Sequence, residues 1–308
     1  DSSIITARSN SFDEPLTPTV FTLKDSLTVA ASALRAVRVD ASGFFVSQSG
    51  RKAYETFFDI QKTDYSGKEL TRLNPDIGVP GFVDIAVQRE PDTRIYFVRT
   101  DGQAACLLYD KDDQVEAWWR IVTDGRIENV VVLPGALESR VFFVVRRTIH
   151  GVTKRYWEKM ARIDECQGGA LSKQMDCHAV YQGAATATLT GLDHLEGKEV
   201  VAWADGKEVG LVTNADPMRF MVTGGRITLP AAVENAVVGL PYSAPFKSAK
   251  LAYAAQQGTA INQVKRVDHI GFQLTNAHSQ GVKFGPDFDT LDDLPLIEDG
   301  GQVGYNVM

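Results

Sequence analysis

A short aromatic motif recurs along the first half of the chain. Phe44-Phe45-Val46 is followed by Ser49-Gly50, Tyr96-Phe97-Val98 by Asp101-Gly102, and Phe142-Phe143-Val144 by His150-Gly151. Aromatic and β-branched residues in threes favour extended backbone, and a Gly turn a few residues on closes a hairpin. The triplets lie about 50 residues apart, the length of one multi-stranded unit per repeat. Upstream of each lies a shorter apolar segment: LRAVRV, FVDIAVQ and IENVVVL. After Asp101-Gly102 come QAACLLY and VEAWWRI, and after His150-Gly151 comes TKRYWEKM. Each unit therefore predicts strand, turn, aromatic strand, tight turn, strand. A single sheet of this kind cannot bury both its faces and needs neighbours. The expectation is about three β-propeller-like units between residues 34 and 164, where closed rings use roughly 4–8. Either sequence outside the chain completes a ring, or the units form a partial stack.

From Cys166 the aromatic repeat stops, and QGGALSKQ reads as a link. Beyond it ATATLTG, KEVVAWAD, FMVTGGRITLP, NAVVGLPY and DHIGFQL predict short strands joined by Gly turns, a small antiparallel barrel or sandwich. The fold class expected is all-β. Residues 1–165 form the propeller-like region, and residues 166–308 a small β domain with an acidic tail. The best helical candidate is SAKLAYAAQQG at residues 248–258, with Gly258 as its C-cap. An extended linker is the alternative there.

Composition narrows the function. Of 308 residues, 44% are hydrophobic and 23% charged, an ordinary globular balance. A net charge of −7 disfavours a general nucleic-acid binder, which needs a basic face to displace counterions. It leaves room for a surface past which DNA slides. No apolar run has the length of a membrane span, and no secretory segment opens the chain. Residue 1 is Asp, which suggests a fragment of something longer. The 3 cysteines, Cys106, Cys166 and Cys177, fit a reducing compartment. Cys106 reads as a buried thiol. A local Cys166–Cys177 pair is possible, with free thiols the preferred reading.

Several segments invite a chemical reading. Asp193, His194 and Glu196 crowd together in GLDHLEGKEV, but a helical zinc site wants two His at i, i+4. A polar turn set by Gly191 and Gly197 is the expectation, with Cys177-His178 not a ligand source by design. Asp287, Asp289 and Glu298 match positions 1, 3 and 12 of a calcium loop, yet Leu291 and Asp292 stand where a ligand and a Gly are needed. The tail (Asp287, Asp289, Asp292, Asp293, Glu298, Asp299) therefore reads as a solvated or partner-facing segment. There is no G-x-S-x-G elbow, GGQVG is not a phosphate loop, and Asp112-Asp113 lie beside a turn. The 5 histidines are scattered. Trp118, Trp119, Tyr156 and Trp157 sit in alternating strand patterns, so inward packing is expected. Arg146, Arg147, Lys154 and Arg155 make the densest basic cluster, RRTIHGVTKR, an expected contact between subunits. No catalytic, cofactor-binding or metal residues are assigned.

The ordered series FFVSQSGRKAYE, QVEAWWRIVTDGRIENVVVLPG, VFFVVRRTIHGVTKRYWEKM and LTGLDHLEGKEVVAWADG, with GGRITLP and VVGLPY, resembles the phage tail nozzle family. That family is also called tail tubular protein B and is related to tail hub and packaged-DNA stabilisation proteins of short-tailed phages. The resemblance covers roughly residues 16 to 272. It implies a non-enzymatic virion protein of the tail, assembled in the bacterial host cytoplasm. It implies a propeller carrying a smaller β domain, copies of itself in a ring, neighbouring tail proteins, and DNA passing without specific binding. No cofactor and no membrane are implied. Members are usually much longer than this chain. A propeller-type protein-binding adaptor and a carbohydrate-binding protein using Trp118 or Trp119 are the alternatives.

Overall fold

The computed structural model describes residues 4–9, 14–209, 211–213, 216–248, 266–267, 269, 271, 281–294, 297–298 and 301–302. The protein is all-β: its helical elements among these residues are short 3-10 turns. The chain divides into two compact units, Asp1–Arg162 and Ile163–Met308.

The first unit opens with a hairpin, β1 (Ile4–Arg8) and β2 (Thr22–Leu27). Three antiparallel meanders follow. The first sheet runs β3 (Val37–Val39), β4 (Ser42–Val46), β5 (Ala53–Asp59), β6 (Asp64–Glu69). The second runs β7 (Phe82–Gln88), β8 (Arg94–Arg99), β9 (Ala104–Asp110), β10 (Val115–Ile121). The third has three strands, β11 (Arg126–Leu133), β12 (Arg140–Ile149) and β13 (Val152–Lys159). Each aromatic triplet of the sequence falls in the second strand of its sheet.

The sheets stack face to face through the pleat. On β8, Ile95 and Phe97 point to the first sheet, where they meet Phe44 and Val46, with Phe82 of their own sheet alongside. Tyr96 and Val98 point the other way, onto Val130, Val141 and Phe143 of the third sheet. Successive strand residues face opposite sides, so a continuous apolar run is what a strand buried on both faces requires. Edge-on aromatic contacts seal both interfaces. Phe44 meets Tyr109 at 5.1 Å and 78°, and Tyr96 meets Phe143 at 5.9 Å and 77°. Phe44 and Tyr96, both fully buried, each contribute about 1.5–3 kcal/mol through burial alone.

The second unit begins with a 3-10 turn, Ile163–Cys166. The expected link QGGALSKQ is in fact packed: Trp203 Nε1 donates to the Gly169 carbonyl at 2.8 Å, and Ser172 is buried. Its polar, Gly-rich composition hides backbone groups that serve as hydrogen-bond partners. Next come β14 (Asp176–Thr190), β15 (Glu199–Ala204), β16 (Lys207–Glu208), β17 (Leu211–Thr213), β18 (Asp216–Pro217), β19 (Phe220–Met221) and β20 (Arg226–Leu240). Five of these form one sheet in the order β14-β20-β15-β16, with β19 also on β15. Of the expected strands FMVTGGRITLP and NAVVGLPY, Phe220–Met221 stands apart as β19, while RITLP and NAVVGL belong to the single 15-residue β20. The joint between them is a change of parity. Ile227, Leu229 and Val233 face the core at odd positions, whereas Ala236, Val238 and Leu240 face it at even ones. Register shifts at Gln182/Thr186 and Thr186/Thr188 bend the ribbon so that both halves cover the same core. No sheet closes into a barrel among the described residues, and the arrangement is sandwich-like. The candidate helix at residues 248–258 lies, past Ser248, outside the described residues, as do most of DHIGFQL and GGQVG.

Candidate functional site

The third sheet presents one face to the second sheet and leaves the other open. Val131, Phe142, Val144, Arg146, Arg155 and Trp157 alternate onto the open side. The ladder fixes this: Phe142 lies between Val131 and Lys159, Val144 beside Trp157, and Arg146 beside Arg155. Trp157 is 58% exposed, a large value for an indole on a central face of a folded unit. Phe142 stacks on it at 5.5 Å and 27°. Basic groups rim this aromatic pair. Arg155 Nε lies 2.6 Å from Glu128 Oε2, and Arg146 Nε 3.3 Å from Glu128 Oε1. The Arg155 hydrogen bond, followed by the charges of Arg155, Arg146 and Arg126, holds the Glu128 carboxyl below the usual carboxylate range. Arg140 and Lys159 add further exposed cations on the same face. The arrangement is an apolar centre with a cationic rim. Its one carboxylate, Glu128, is held between Arg146 and Arg155.

This face corrects two expectations. Trp157 does not pack inward. It lies on an outer sheet face, whereas Trp118 packs against the first-sheet core, its Nε1 donating to the Leu70 carbonyl at 3.2 Å, and Trp119 packs toward the third sheet. Alternation in a sequence places residues on two faces but does not say which face is covered. Second, the basic hairpin is not one cluster. The pleat splits it, turning Arg147 to the inner face, where it is 3% exposed. Its guanidinium grips Glu158 with both arms, Nε to Oε1 at 2.6 Å and Nη2 to Oε2 at 2.7 Å, and also donates to Thr123 Oγ1 and the Asp124 carbonyl. Arg147 is a core ion pair and unavailable to a partner.

The segment around His194 is a turn. Asp193–Leu195 form a 3-10 turn with Leu195 buried. Glu196 accepts hydrogen bonds from the backbone N–H groups of Gly224 and Gly225, at 2.9 and 2.7 Å. His194 Nε2 sits 3.2 Å from the Cys177 carbonyl. Gly225 has φ +67°, and a Cβ there would meet Asp193 Oδ1 at 2.5 Å. Left-handed backbone and close approach both demand glycine. The charged residues thus clamp two turns together. Burial, the largest cause, pushes the neighbouring His178 imidazole below its ordinary range.

In the tail, Asp287 Oδ1 accepts the backbone N–H groups of Asp289 and Thr290 at 3.0 and 2.9 Å, together with the Thr290 hydroxyl. These bonds, the hydroxyl first, lower its carboxyl's affinity for protons. Asp287 is a turn-former inside a small hairpin, β21 (Lys283–Phe284) and β22 (Asp292–Asp293). Among the described residues, no group of three or more His, Cys, Asp or Glu is placed to hold a metal ion. Burial raises the Cys106 thiol, which therefore stays protonated and unreactive. The Cys166 thiol donates to the Lys173 carbonyl at 3.3 Å.

Two structural centres escaped the sequence reading. Arg35 donates from Nε to the Ile85 carbonyl at 2.8 Å and from Nη2 to the Val130 carbonyl at 3.3 Å, while pairing with Asp84. Asp84 in turn accepts the Val130 N–H at 3.0 Å. The pair fastens the first strands of the second and third sheets to the segment leading into the first. Glu55, 2% exposed, accepts from Ser42 Oγ at 2.7 Å and lies 3.3 Å from Lys111 Nζ. Its place beside Tyr54 on an alternating strand was the available signal: Phe44 faces it across the ladder.

No protein-family model matches this chain, and no curated protein matches it in sequence.

Proposed function

We propose that this chain is a structural component of a phage or prophage tail, part of the ring-shaped nozzle or hub through which DNA is ejected. Its action is mechanical: copies associate in a ring, dock to neighbouring tail proteins, and let DNA pass. The observation that carries this reading is the open outer face of the third sheet. Three meanders stack by burying sheet faces, and the last still presents Trp157 to solvent, stacked on a half-buried Phe142. An apolar face that repeats the chemistry of the two buried interfaces is a surface built to be covered. The ordered resemblance to the nozzle family supplies the setting. The net charge of −7 suits a channel that repels phosphate.

A protein-binding adaptor would use the same face toward a different protein and remain monomeric. The carbohydrate reading loses its residues, since Trp118 and Trp119 pack into the interfaces between sheets. The deciding experiment is the molar mass of the purified chain by light scattering, with negative-stain images. Rings with a central hole are expected. A monomer at all concentrations would set the ring reading aside for the adaptor.

A further inference from the structure

The open face of the third sheet is selective about what can cover it. Its centre is Trp157 stacked on Phe142, and its rim carries Arg140, Arg146, Arg155 and Lys159 against a single carboxylate, Glu128. Two such faces pressed together would set cations against cations, which costs several kcal/mol at an interface. The symmetric pairing of this face with itself is therefore disfavoured, and the complementary surface must be acidic with an apolar tip.

The chain carries such a surface. The hairpin of β21 and β22 has Asp289, Asp292 and Asp293 exposed around Phe288 and Leu291, which are 52% and 40% exposed. Two cations lie against it: Lys283 pairs with Asp293 at 3.3 Å, and Lys247 Nζ sits 5.9 Å from the Phe288 ring centroid, so the carboxylates of Asp287, Asp289, Asp292 and Asp293 still outnumber the positive charges. The fully hydrogen-bonded Asp287 turn gives the tip a fixed shape, so little order has to be gained on docking. Aromatic centre meets aromatic tip, and cationic rim meets carboxylates. We propose that the outer face of the third sheet receives the acidic hairpin around Phe288 of a second copy of the chain. Such a contact joins two different surfaces, so it is heterologous and propagates around a ring. It rests on the self-association proposed above and names the two surfaces that make it.

Charge exchange tests it on the whole chain. Variant one carries Arg140→Glu with Lys159→Glu. Variant two carries Asp292→Lys with Asp293→Lys. All four positions are exposed, so both variants should fold, as circular dichroism checks. Each alone is expected to weaken assembly roughly tenfold or more, read by light scattering across a dilution series. In an equimolar mixture the two variants are expected to associate with each other, because the face of each then meets the hairpin of the other with opposite charge. Trp157→Ala should weaken assembly by about thirtyfold, as loss of a central interface Trp does. Recovery only when all four changes share one chain, and not in the mixture, would mean the hairpin docks within its own chain and would overturn the proposal. Wild-type rings unaffected by either variant would overturn it too, while leaving the ring reading intact. A wild-type monomer would sink both.

Discussion

The first and third sheets of the repeat region are built alike and finished differently. Both bury one face against the second sheet. Both carry aromatic pairs on the outer face, Phe45 stacked on Tyr54 at 5.5 Å and Phe142 on Trp157 at the same distance. Yet Phe45 is 4% exposed and Trp157 58%. The first sheet is covered in part by its own chain. Leu27 of β2 packs over Gly67, and Ser26 and Lys24 both hold Asp64. Nothing comparable among the described residues of the first unit covers the third. One end of the stack is capped from within and the other lies open, the face that the proposed contact between copies would cover. That asymmetry leaves one sheet face, not two, for a second copy to cover.

If the two inner faces are equivalent, then Phe44→Ala and Phe143→Ala should each cost about 3–5 kcal/mol in denaturant unfolding of the first unit. A markedly cheaper Phe143→Ala would mean that the third sheet is loosely attached. The buried charges provide the next comparison. Arg147→Ala leaves Glu158 without its bidentate partner, and Glu55→Ala leaves Ser42 and Lys111 without theirs. Arg147→Ala should cost about 3 kcal/mol, at the low end for a broken buried pair because Glu158 keeps some solvent. Glu55→Ala should cost less, since Lys111 can return to water.

The outer faces should separate sharply. Phe45→Ala is expected to lower stability by about 3 kcal/mol, whereas Trp157→Ala should change it by less than about 1 kcal/mol in the dilute chain. Equal losses would erase the asymmetry. The smallest effect is at the cap. Lys24 and Ser26 hold the Asp64 carboxyl down at about 2, from an ordinary 3.8. Its contribution is full above pH 3.8 and is lost as pH falls through about 2. Backbone protection of β1 and β2 in hydrogen exchange should fall in that window and become pH-independent there in Asp64→Asn.

The sequence made the repeats legible because the second sheet is buried on both faces. RIYFVR and AACLLY are continuous apolar runs for that reason, and their period identifies the unit. Less could be read where the ladder decides. RRTIHGVTKR looks like one basic patch until the pleat sends Arg147 and Arg146 to opposite sides. The same alternation that marks Trp157 as a strand residue cannot tell a covered face from an open one. Arg35 and Asp84 were invisible because their bonds span distant strands: the Arg35 contact with Val130 joins residues 95 positions apart. The long β20 was read as two strands because its inward parity changes between Val233 and Ala236. In each case the missing information was tertiary, not local.

The most direct measurement is hydroxyl-radical footprinting of aromatic side chains across a concentration series. On this account Trp157 and Phe142 are oxidised readily in the dilute chain and become protected as copies assemble, while Phe45 is protected throughout. Trp157 remaining as reactive in the assembled protein as in the monomer would contradict the claim that this face is where one copy meets the next.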